Sequence, residues 1–384
     1  MTYSLLAPGP VNLHPDVLKI MSEPMIHHRT PLFDQIFQRV RQNLKPLFGT
    51  KQDVFLHSST GSGGMESLLV NTLSPGDPVL CVVSGKFGER WADMAKVFGL
   101  QTTVLQVPWG EAVQIEMVKM HLQKHPQTKA VLCQACETST AVLHPIQKLG
   151  EMISEFHETL FLVDAITALG AMPLPMDAWH IDGLVGGSQK AFMLPTGLSL
   201  VSFSEKAWLN ILTSKLPKYY FDIRKEKKAN EQGESYYSSN VLLIRALDLM
   251  LDLIFKHGLE NLFHDIAARA KFTAECGGLI GLPAYSKSPS PSLTALQLPP
   301  NMDGQKLRLH LEKQFDVTVM GGQDQLKGKI LRIGHMGYIQ KAEMIQFFIH
   351  LQKVLADFGH QAKTLDEKQL NQILEKHNLG KNWL

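Results

Sequence analysis

The chain has 384 residues, of which 44% are apolar and 19% are charged, a balance typical of a globular protein with a substantial core. Its 38 basic and 36 acidic residues give a net charge of +2 without a long basic run, so nucleic acid is not expected as the main partner. No apolar stretch reaches the length of a membrane span, and no membrane partner is expected.

The cysteines and the start of the sequence predict a cytoplasmic protein. The first ten residues, MTYSLLAPGP, lack the charged leader and extended apolar segment of a secretory signal. Four cysteines in a chain of this length fit a reducing compartment. Cys133 and Cys136 form a CxxC pair, but no second ligand pair accompanies them, so we expect buried structural cysteines and no metal site.

Strands and helices alternate through the first two thirds of the chain. The segment TPLFDQIFQRVRQNLKPLFG predicts a helix with Thr30 as its N-cap and Pro31 in its first turn. Strands are then predicted at DVFLHSS, PVLCVVS, TTVLQV, KAVLCQA, TLFLVDA, DGLVGGS and LSLVSFS, with amphipathic helices among them. This alternation predicts an α/β fold with a mostly parallel sheet, which binds ligands at the carboxyl ends of its strands.

The last third of the chain has longer helices. The apolar helix NVLLIRALDLMLDLIFKHG precedes a region with the candidate strands SLTALQL, VTVMGG and KILRIGH, which predicts a smaller α+β domain. We expect an N-terminal segment over residues 1–20, a large domain over 21–257 and a small domain over 258–362. Residues 363–384 form a polar tail with one predicted peripheral helix.

The segment SSTGSGGMESLL is a glycine-rich turn that leads into a helix. Backbone N–H groups of Ser62, Gly63 and Gly64 at the positive end of a helix dipole suit a phosphate group. Glycine turns also serve tight packing alone, and the turn by itself does not decide between the two.

Two charged residues follow, each near the end of a predicted strand. Asp164 ends an apolar strand, where its carboxylate either meets a cation or caps the next segment. Lys190 lies among small and apolar residues in VGGSQKAFMLPTG, where loss of hydration lowers the pKa of an amine and makes it nucleophilic. The alternative is a lysine whose amine reaches solvent from a strand end. With the glycine turn, the pair matches the needs of pyridoxal 5′-phosphate (PLP).

Ten motifs extend this pattern over roughly residues 5–358. They are APGPVNLHPDVLKIM, MIHHRTPLFDQIF, SSTGSGGMESLL, SGKFGERW, CETSTAVLHP, VDAITALGA, GSQKAFMLPTGL, KLPKYYFDI, GGQDQL and LRIGHMGY. In this order they resemble the class V aminotransferases, in the branch of alanine–glyoxylate and serine–pyruvate aminotransferases, and most of all the soluble hydrogenase small-subunit group. The resemblance implies the PLP-dependent transferase fold type I, with residues 1–20 covering the active site.

The resemblance also implies roles for residues of the large domain. Lys190 matches the lysine that holds the cofactor and moves the proton, and Asp164 matches the partner of the pyridine nitrogen. The phosphate-binding positions fall on Ser62, Gly63, Gly64 and Gln189.

Four further positions carry over in the same way. Phe87 matches the aromatic ring that stacks on the cofactor, and Thr138 matches a hydroxyl beside its ring oxygen. Arg332 matches the arginine that binds the substrate carboxylate. Ser238 stands where relatives have a threonine that reaches the phosphate in the other subunit, although the prolines usual there are absent.

The implied activity is transfer of an amino group from alanine or serine to glyoxylate or pyruvate, by a homodimer with shared active sites. A PLP-dependent lyase or desulfurase is one alternative, for which Cys276 is the only cysteine in the small-domain region. A non-catalytic subunit of a larger complex is another. His27, His28 and Arg29 lie near the expected mouth of the site, either as substrate contacts or as cover.

Overall fold

The computed structural model describes residues 3–361 and 363–379. The ends of the predicted N-terminal segment and tail, and the small-domain limit at 362, therefore lie partly outside the described residues. In chain order the strands are β1 (Ser4–Leu5), β2 (Val54–His57), β3 (Pro78–Val83), β4 (Gln101–Gln106), β5 (Ala130–Gln134), β6 (Cys136–Glu137), β7 (Val142–Leu143), β8 (Leu160–Asp164), β9 (Gly183–Gly187), β10 (Ser199–Phe203), β11 (Leu293–Gln297), β12 (Val317–Thr318), β13 (Met320–Gly321) and β14 (Ile330–Gly334).

The helices are α1 (Pro15–Met21), α2 (Pro31–Phe48), α3 (Gly61–Thr72), α4 (Lys86–Val97), α5 (Ile115–Lys124), α6 (Ile146–Ile153), α7 (Glu205–Thr213), α8 (Ile223–Asn230), α9 (Val241–His257), α10 (Leu259–Leu279), α11 (Gly304–Phe315), α12 (Lys341–Asp357) and α13 (Glu367–Lys376). The predicted start of α2 is confirmed, since Oγ1 of Thr30 accepts the backbone N–H of Phe33. Within the described ranges, no helix is long and apolar enough to cross a membrane.

Seven strands form the central sheet, in the order β2-β10-β9-β8-β5-β3-β4. The strands from β9 to β4 pair in parallel, which confirms the predicted mostly parallel sheet. Strand β10 instead runs antiparallel to both neighbours. The reason is the short connection over residues 188–198, which contains no helix and leaves no room for the crossover that parallel pairing requires.

The register of the sheet aligns the carboxyl ends of β5, β8 and β9. Gln134 pairs with Asp164, and Asp164 pairs with Val185. Strands β5 and β8 are buried along their whole length, as expected for apolar runs covered on both faces. The sheet therefore presents the last residues of these strands, and the loops that follow them, along one edge.

The C-terminal region builds a second, smaller core. Strands β11, β14 and β13 form an antiparallel sheet against α10, α11, α12 and α13. Its buried side chains include Phe272, Leu307, Leu331, Phe347 and Leu351. This sheet-containing region agrees with the expected α+β architecture, while the exact domain limits stay predictions.

The N-terminal segment joins this smaller region. Strand β1 pairs in parallel with β12, and the side chain of Leu6 is buried in the smaller core. The backbone N–H of Gly334 donates to the carbonyl of Leu6 at 2.8 Å. From there the segment runs on to the carboxyl edge of the central sheet.

Candidate active site

Lys190 lies three residues after β9, at the carboxyl edge of the sheet, and is 8% exposed. Its Nζ donates a hydrogen bond of 2.6 Å to the carbonyl of Pro8 in the N-terminal segment. Burial lowers the pKa of this amine to about 8. Gly9, with φ of +128°, packs so close that a Cβ there would lie 2.5 Å from Nζ. The pocket thus holds an amine that gives up its proton near neutral pH.

Asp164 ends β8 and is 5% exposed. Its Oδ1 accepts the backbone N–H of Ile166 at 2.8 Å, and Oδ2 has no hydrogen-bond partner in the described chain. Burial raises the pKa of this carboxyl to about 6, while the positive charge of Lys190 opposes the rise. One oxygen therefore caps the following turn and the other is available to a cationic N–H.

The glycine-rich turn begins α3. Its N-cap residue, Thr60, makes no side-chain cap, and the amides of Gly61 and Ser62 have no acceptor among the described residues. The amides of Gly63 and Gly64 donate instead to the carbonyl of Thr60, at 2.9 and 3.3 Å. The amides of the turn that can donate to a ligand are therefore those of Gly61 and Ser62. The sequence pattern also predicts Gly63 and Gly64 as donors, but their amides already bind Thr60.

Gln189 and Phe87 are two further residues expected near the cofactor. Gln189 precedes Lys190, and its buried Oε1 has no hydrogen-bond partner. An unpaired buried polar atom in a native fold calls for an explanation such as a bound group. Phe87 lies half-buried in the first turn of α4, and its backbone N–H donates to the carboxylate of Glu137.

Arg332 projects from the middle of β14 and is 8% exposed. Its Nε donates to the carbonyl of Gly321 at 2.9 Å, and its Nη1 donates to the carbonyl of Thr138 at 3.1 Å. It forms no ion pair with any carboxylate that the structure describes, and burial lowers its pKa to about 10. The charge of the buried Glu137 opposes this lowering, but it forms no ion pair with Arg332, so the guanidinium can still bind an anionic ligand.

Thr138 connects this arginine to the large domain. It is 3% exposed, and its Oγ1 donates to the hydroxyl of Thr167 at 2.8 Å. It follows β6, whose hairpin with β7 was not predicted from the sequence. The charges of Cys136, Asp164, Arg332 and Arg90 all act on the pKa of Lys190, so these groups lie near the amine.

Glu137 is a buried residue of this site that sequence reasoning missed. Its carboxylate accepts the backbone N–H groups of Phe87, Gly88 and Ser139, as well as the side-chain amide of Gln134. It thereby caps α4 and fixes the turn that carries Thr138. Glu137 precedes Thr138 in the CETST motif. No repeating sequence pattern indicates a carboxylate that binds backbone amides, so the motif alone does not predict this role.

Ser238 and the histidine segment lie on an exposed surface. The Ser238 hydroxyl is 3.5 Å from Nε2 of His28 and makes no hydrogen bond to the phosphate turn among the described residues. Arg29 donates to Glu234 and to the carbonyl of Ser235, both at 2.7 Å. These residues are therefore not brought to Lys190 within a single chain.

The CxxC cysteines lie near the site, since Cys136 acts on the pKa of Lys190. Cys133 and Cys136 are buried free thiols, and no cluster of possible metal ligands occurs in the part of the chain that the structure describes. Burial raises the pKa of Cys136 to about 12, as expected for a structural cysteine.

The family profile described as "Aminotransferase class-V" matches residues 18–343. The chain belongs to the class V aminotransferases. This aminotransferase is 36% identical to the soluble hydrogenase 42 kDa subunit of Anabaena cylindrica, over 93% of this chain and 94% of that protein. It is 34% identical to the L-aspartate–glyoxylate aminotransferase of Paracoccus denitrificans, over 92% and 91% of the two chains.

The aminotransferase also matches solved structures of PLP-dependent transferases. The crystal structure of alanine–glyoxylate aminotransferase from Nostoc sp. aligns with a TM-score of 0.89 and 31% identity, over 92% of this chain and 96% of the other. The predicted fold is thereby confirmed.

Pyridoxal 5′-phosphate is the cofactor of this aminotransferase, and the site fits it. The uncapped start of α3 suits its phosphate, while the free oxygen of Asp164 suits its pyridinium nitrogen. When bound, the cofactor supplies a carbonyl carbon for an amine and a ring that withdraws electrons.

Proposed function

We propose that this aminotransferase transfers the amino group of alanine or serine to glyoxylate or pyruvate. The observation that carries the proposal is Arg332, a buried guanidinium that forms no ion pair with a described residue and donates to the carbonyl of Thr138. A guanidinium presents two parallel donors to a planar carboxylate, which both substrates possess. Relatives named for glyoxylate as the acceptor support the choice of a small 2-oxo acid.

We assign the remaining roles from the chemistry of each side chain. Lys190 holds the cofactor and moves a proton at the substrate Cα, which its lowered pKa favours. Asp164 keeps the pyridine nitrogen protonated through its second oxygen. Ser62, Gly63, Gly64 and Gln189 hold the phosphate, with the amides of the turn nearest the start of α3 as the strongest donors. Phe87 covers the ring, and the hydroxyl of Thr138 lies beside the ring oxygen.

A donor–acceptor screen tests the proposal. Purified protein with PLP is assayed with alanine, serine and aspartate against glyoxylate, pyruvate and 2-oxoglutarate, with product amino acids measured directly. We expect alanine or serine with glyoxylate or pyruvate to give the highest kcat/KM. A clear preference for aspartate would overturn the assigned donor and leave the aminotransferase class intact.

The Asp164→Asn variant is expected to fold and to lose most of its activity. The change is nearly isosteric, and the amide oxygen still accepts from Ile166, so the unfolding temperature should stay within a few degrees of the wild type. The neutral amide does not hold the pyridine nitrogen protonated, and kcat should fall by about 100-fold or more. Equal turnover by Asp164→Asn and wild type would reject the role.

A desulfurase would need a mobile, reactive cysteine. Cys276 is instead buried inside α10, and burial raises the pKa of its thiol to about 12. A thiol held in this way is neither accessible nor ionised at neutral pH. The relative named as a hydrogenase subunit raises the alternative of a non-catalytic subunit. Lys190, Asp164 and Arg332 are buried without an ion pair to any described residue, which favours catalysis, because a scaffold gains nothing from burying such charges.

We propose a homodimer in which the surface around Ser238 faces the second copy. The tyrosine cluster, made of Tyr219, Tyr220, Tyr236 and Tyr237, lies beside Ser238 with up to 75% of a side chain exposed. Aromatic side chains of this kind are enriched in protein interfaces.

Sedimentation equilibrium should give twice the mass of one chain, and Tyr219→Glu should shift the protein toward monomer. Leu309→Glu, a change at an exposed position of α11, is the matched control and should not alter the mass. A wild-type monomer with full activity would contradict the shared site.

We propose the cytoplasm as the compartment. All four cysteines are free thiols, and each of them is buried. Unpaired cysteines of this kind persist where the environment is reducing.

A further inference from the structure

Arg90 lies one turn after Phe87 in α4, and no role has been given to it so far. Its Nη1 donates a hydrogen bond of 2.8 Å to the hydroxyl of Ser62, in the turn that begins α3. Its guanidinium carbon lies 4.8 Å from the centre of the Phe87 ring, as in a cation–π contact. One side chain thus joins the phosphate turn to the aromatic ring expected over the cofactor.

The charge of Arg90 is not balanced within the described chain. The neighbouring acids Glu89 and Asp324 are both taken by Lys86, at 2.6 and 2.7 Å from its Nζ. Arg90 itself forms no ion pair with any residue that the structure describes. The charge of Arg90 also acts on the two residues expected to bind the cofactor ring, because it lowers the pKa of both Asp164 and Lys190.

An exposed arginine normally points into solvent, because its guanidinium is well hydrated and its side chain is flexible. Here the guanidinium is instead held between a hydroxyl and a ring at the positive end of a helix. Two positive elements that face each other raise the electrostatic energy unless an anion lies between or beside them. A dianionic phosphate at the start of α3 removes this repulsion and accepts charge-assisted hydrogen bonds.

We propose that Arg90 is a further phosphate-anchoring residue of the cofactor site, which acts together with Ser62 and the start of α3. The inference rests on the proposed roles of Ser62 and Phe87. It adds to them a source of full positive charge, which the backbone amides of the turn do not supply. Arg90 also restrains the Phe87 ring, so that phosphate binding and ring position depend on the same side chain.

The test compares two ligands that differ only in the phosphate group. Apoprotein of the wild type, Arg90→Gln and Arg90→Lys is titrated with pyridoxal 5′-phosphate and with pyridoxal, and binding is followed by the visible absorbance of the bound ligand. The expected result for Arg90→Gln is about 10- to 100-fold weaker binding of pyridoxal 5′-phosphate, typical of a lost charge-assisted contact. Pyridoxal binding should change by less than about twofold, and Arg90→Lys should fall between the wild type and Arg90→Gln.

Arg308→Gln is the matched control, since Arg308 lies on α11 and pairs with Glu312. It should bind both ligands like the wild type. Equal weakening of both ligands by Arg90→Gln would overturn the phosphate role and leave only support of the ring. Unchanged binding of pyridoxal 5′-phosphate in both Arg90 variants would overturn the inference altogether. Neither result bears on the proposed substrates, because the titration measures cofactor binding and not amino transfer.

Discussion

Replacing Lys190 by alanine is expected to reduce transamination by about 10⁴-fold or more, the largest effect of any single change in this protein. Two functions disappear together, because the same amine holds the cofactor and moves the proton at the substrate Cα. The Pro8 carbonyl loses its donor as well, although the methyl group leaves the fold of the pocket in place. Cofactor should still bind through its phosphate, more weakly and without covalent attachment.

Borohydride reduction followed by peptide mass analysis checks this assignment. In the wild type the reduced cofactor should be found on the peptide that contains Lys190, and in Lys190→Ala it should be found on none. Lys119→Ala is the matched control, since Lys119 lies on α5 and pairs with Glu155 at the surface. Label on a different lysine of the wild type would reject the assignment.

The pH dependence of cofactor attachment follows from the same amine. Only the neutral amine attacks a carbonyl, and burial lowers the pKa of Lys190 from 10.5 to about 8. The rate of attachment to apoprotein should therefore rise with pH and level off above about pH 8, as stopped-flow absorbance would show. A rate that continues to rise toward pH 10.5 would mean that the pocket does not lower the pKa.

Replacing Arg332 by lysine is expected to cost on the order of 2–5 kcal/mol in transition-state binding, as for other truncated buried charge contacts. This corresponds to roughly a 30- to several-thousand-fold loss of kcat/KM for alanine or serine. A lysine keeps the charge and loses the planar fork that matches a carboxylate. An amine without a carboxylate should react no worse with the variant than with the wild type.

Arg269 supplies the control for this prediction. It is also buried, but its guanidinium donates to the carbonyls of His335 and Ile339 and has a structural role in α10. Arg269→Lys should lower the thermal stability and affect both classes of amine alike. If Arg332→Lys behaves in this way too, then Arg332 is structural and the proposed carboxylate site is wrong.

Much of the fold follows from the sequence because its signals are local. The apolar runs that end at Gln134 and Asp164 predict buried parallel strands, and Thr30 and Pro31 predict the start of α2. The antiparallel direction of β10 depends on the length and course of a helix-free connection, which apolar periodicity does not report. The sequence pattern therefore predicts the positions of the helices and strands better than it predicts how the strands pair.

Some residues of the site can likewise be predicted from the sequence and others cannot. Lys190 and Asp164 are recognisable because a charged residue among apolar residues, at or just after the end of a strand, is unusual wherever it occurs. Glu137 and Arg90 are not, because their importance lies in contacts with residues on other elements. Glu137 binds Phe87 across a separation of 50 residues, and Arg90 binds Ser62 across 28. The roles of such residues are visible only in the three-dimensional structure.

The pairing of β1 with β12 has a consequence for the order of events during synthesis. Ser4 is synthesised more than 300 residues before its partner Val317. Large domains generally fold as they emerge, so the central sheet can form while the first residues still lack their partner. The carbonyl of Pro8 can therefore cover Lys190 stably only near the end of translation. A segment that is synthesised before the central sheet thus reaches its native place after it, and the pocket of the nascent protein stays open until then.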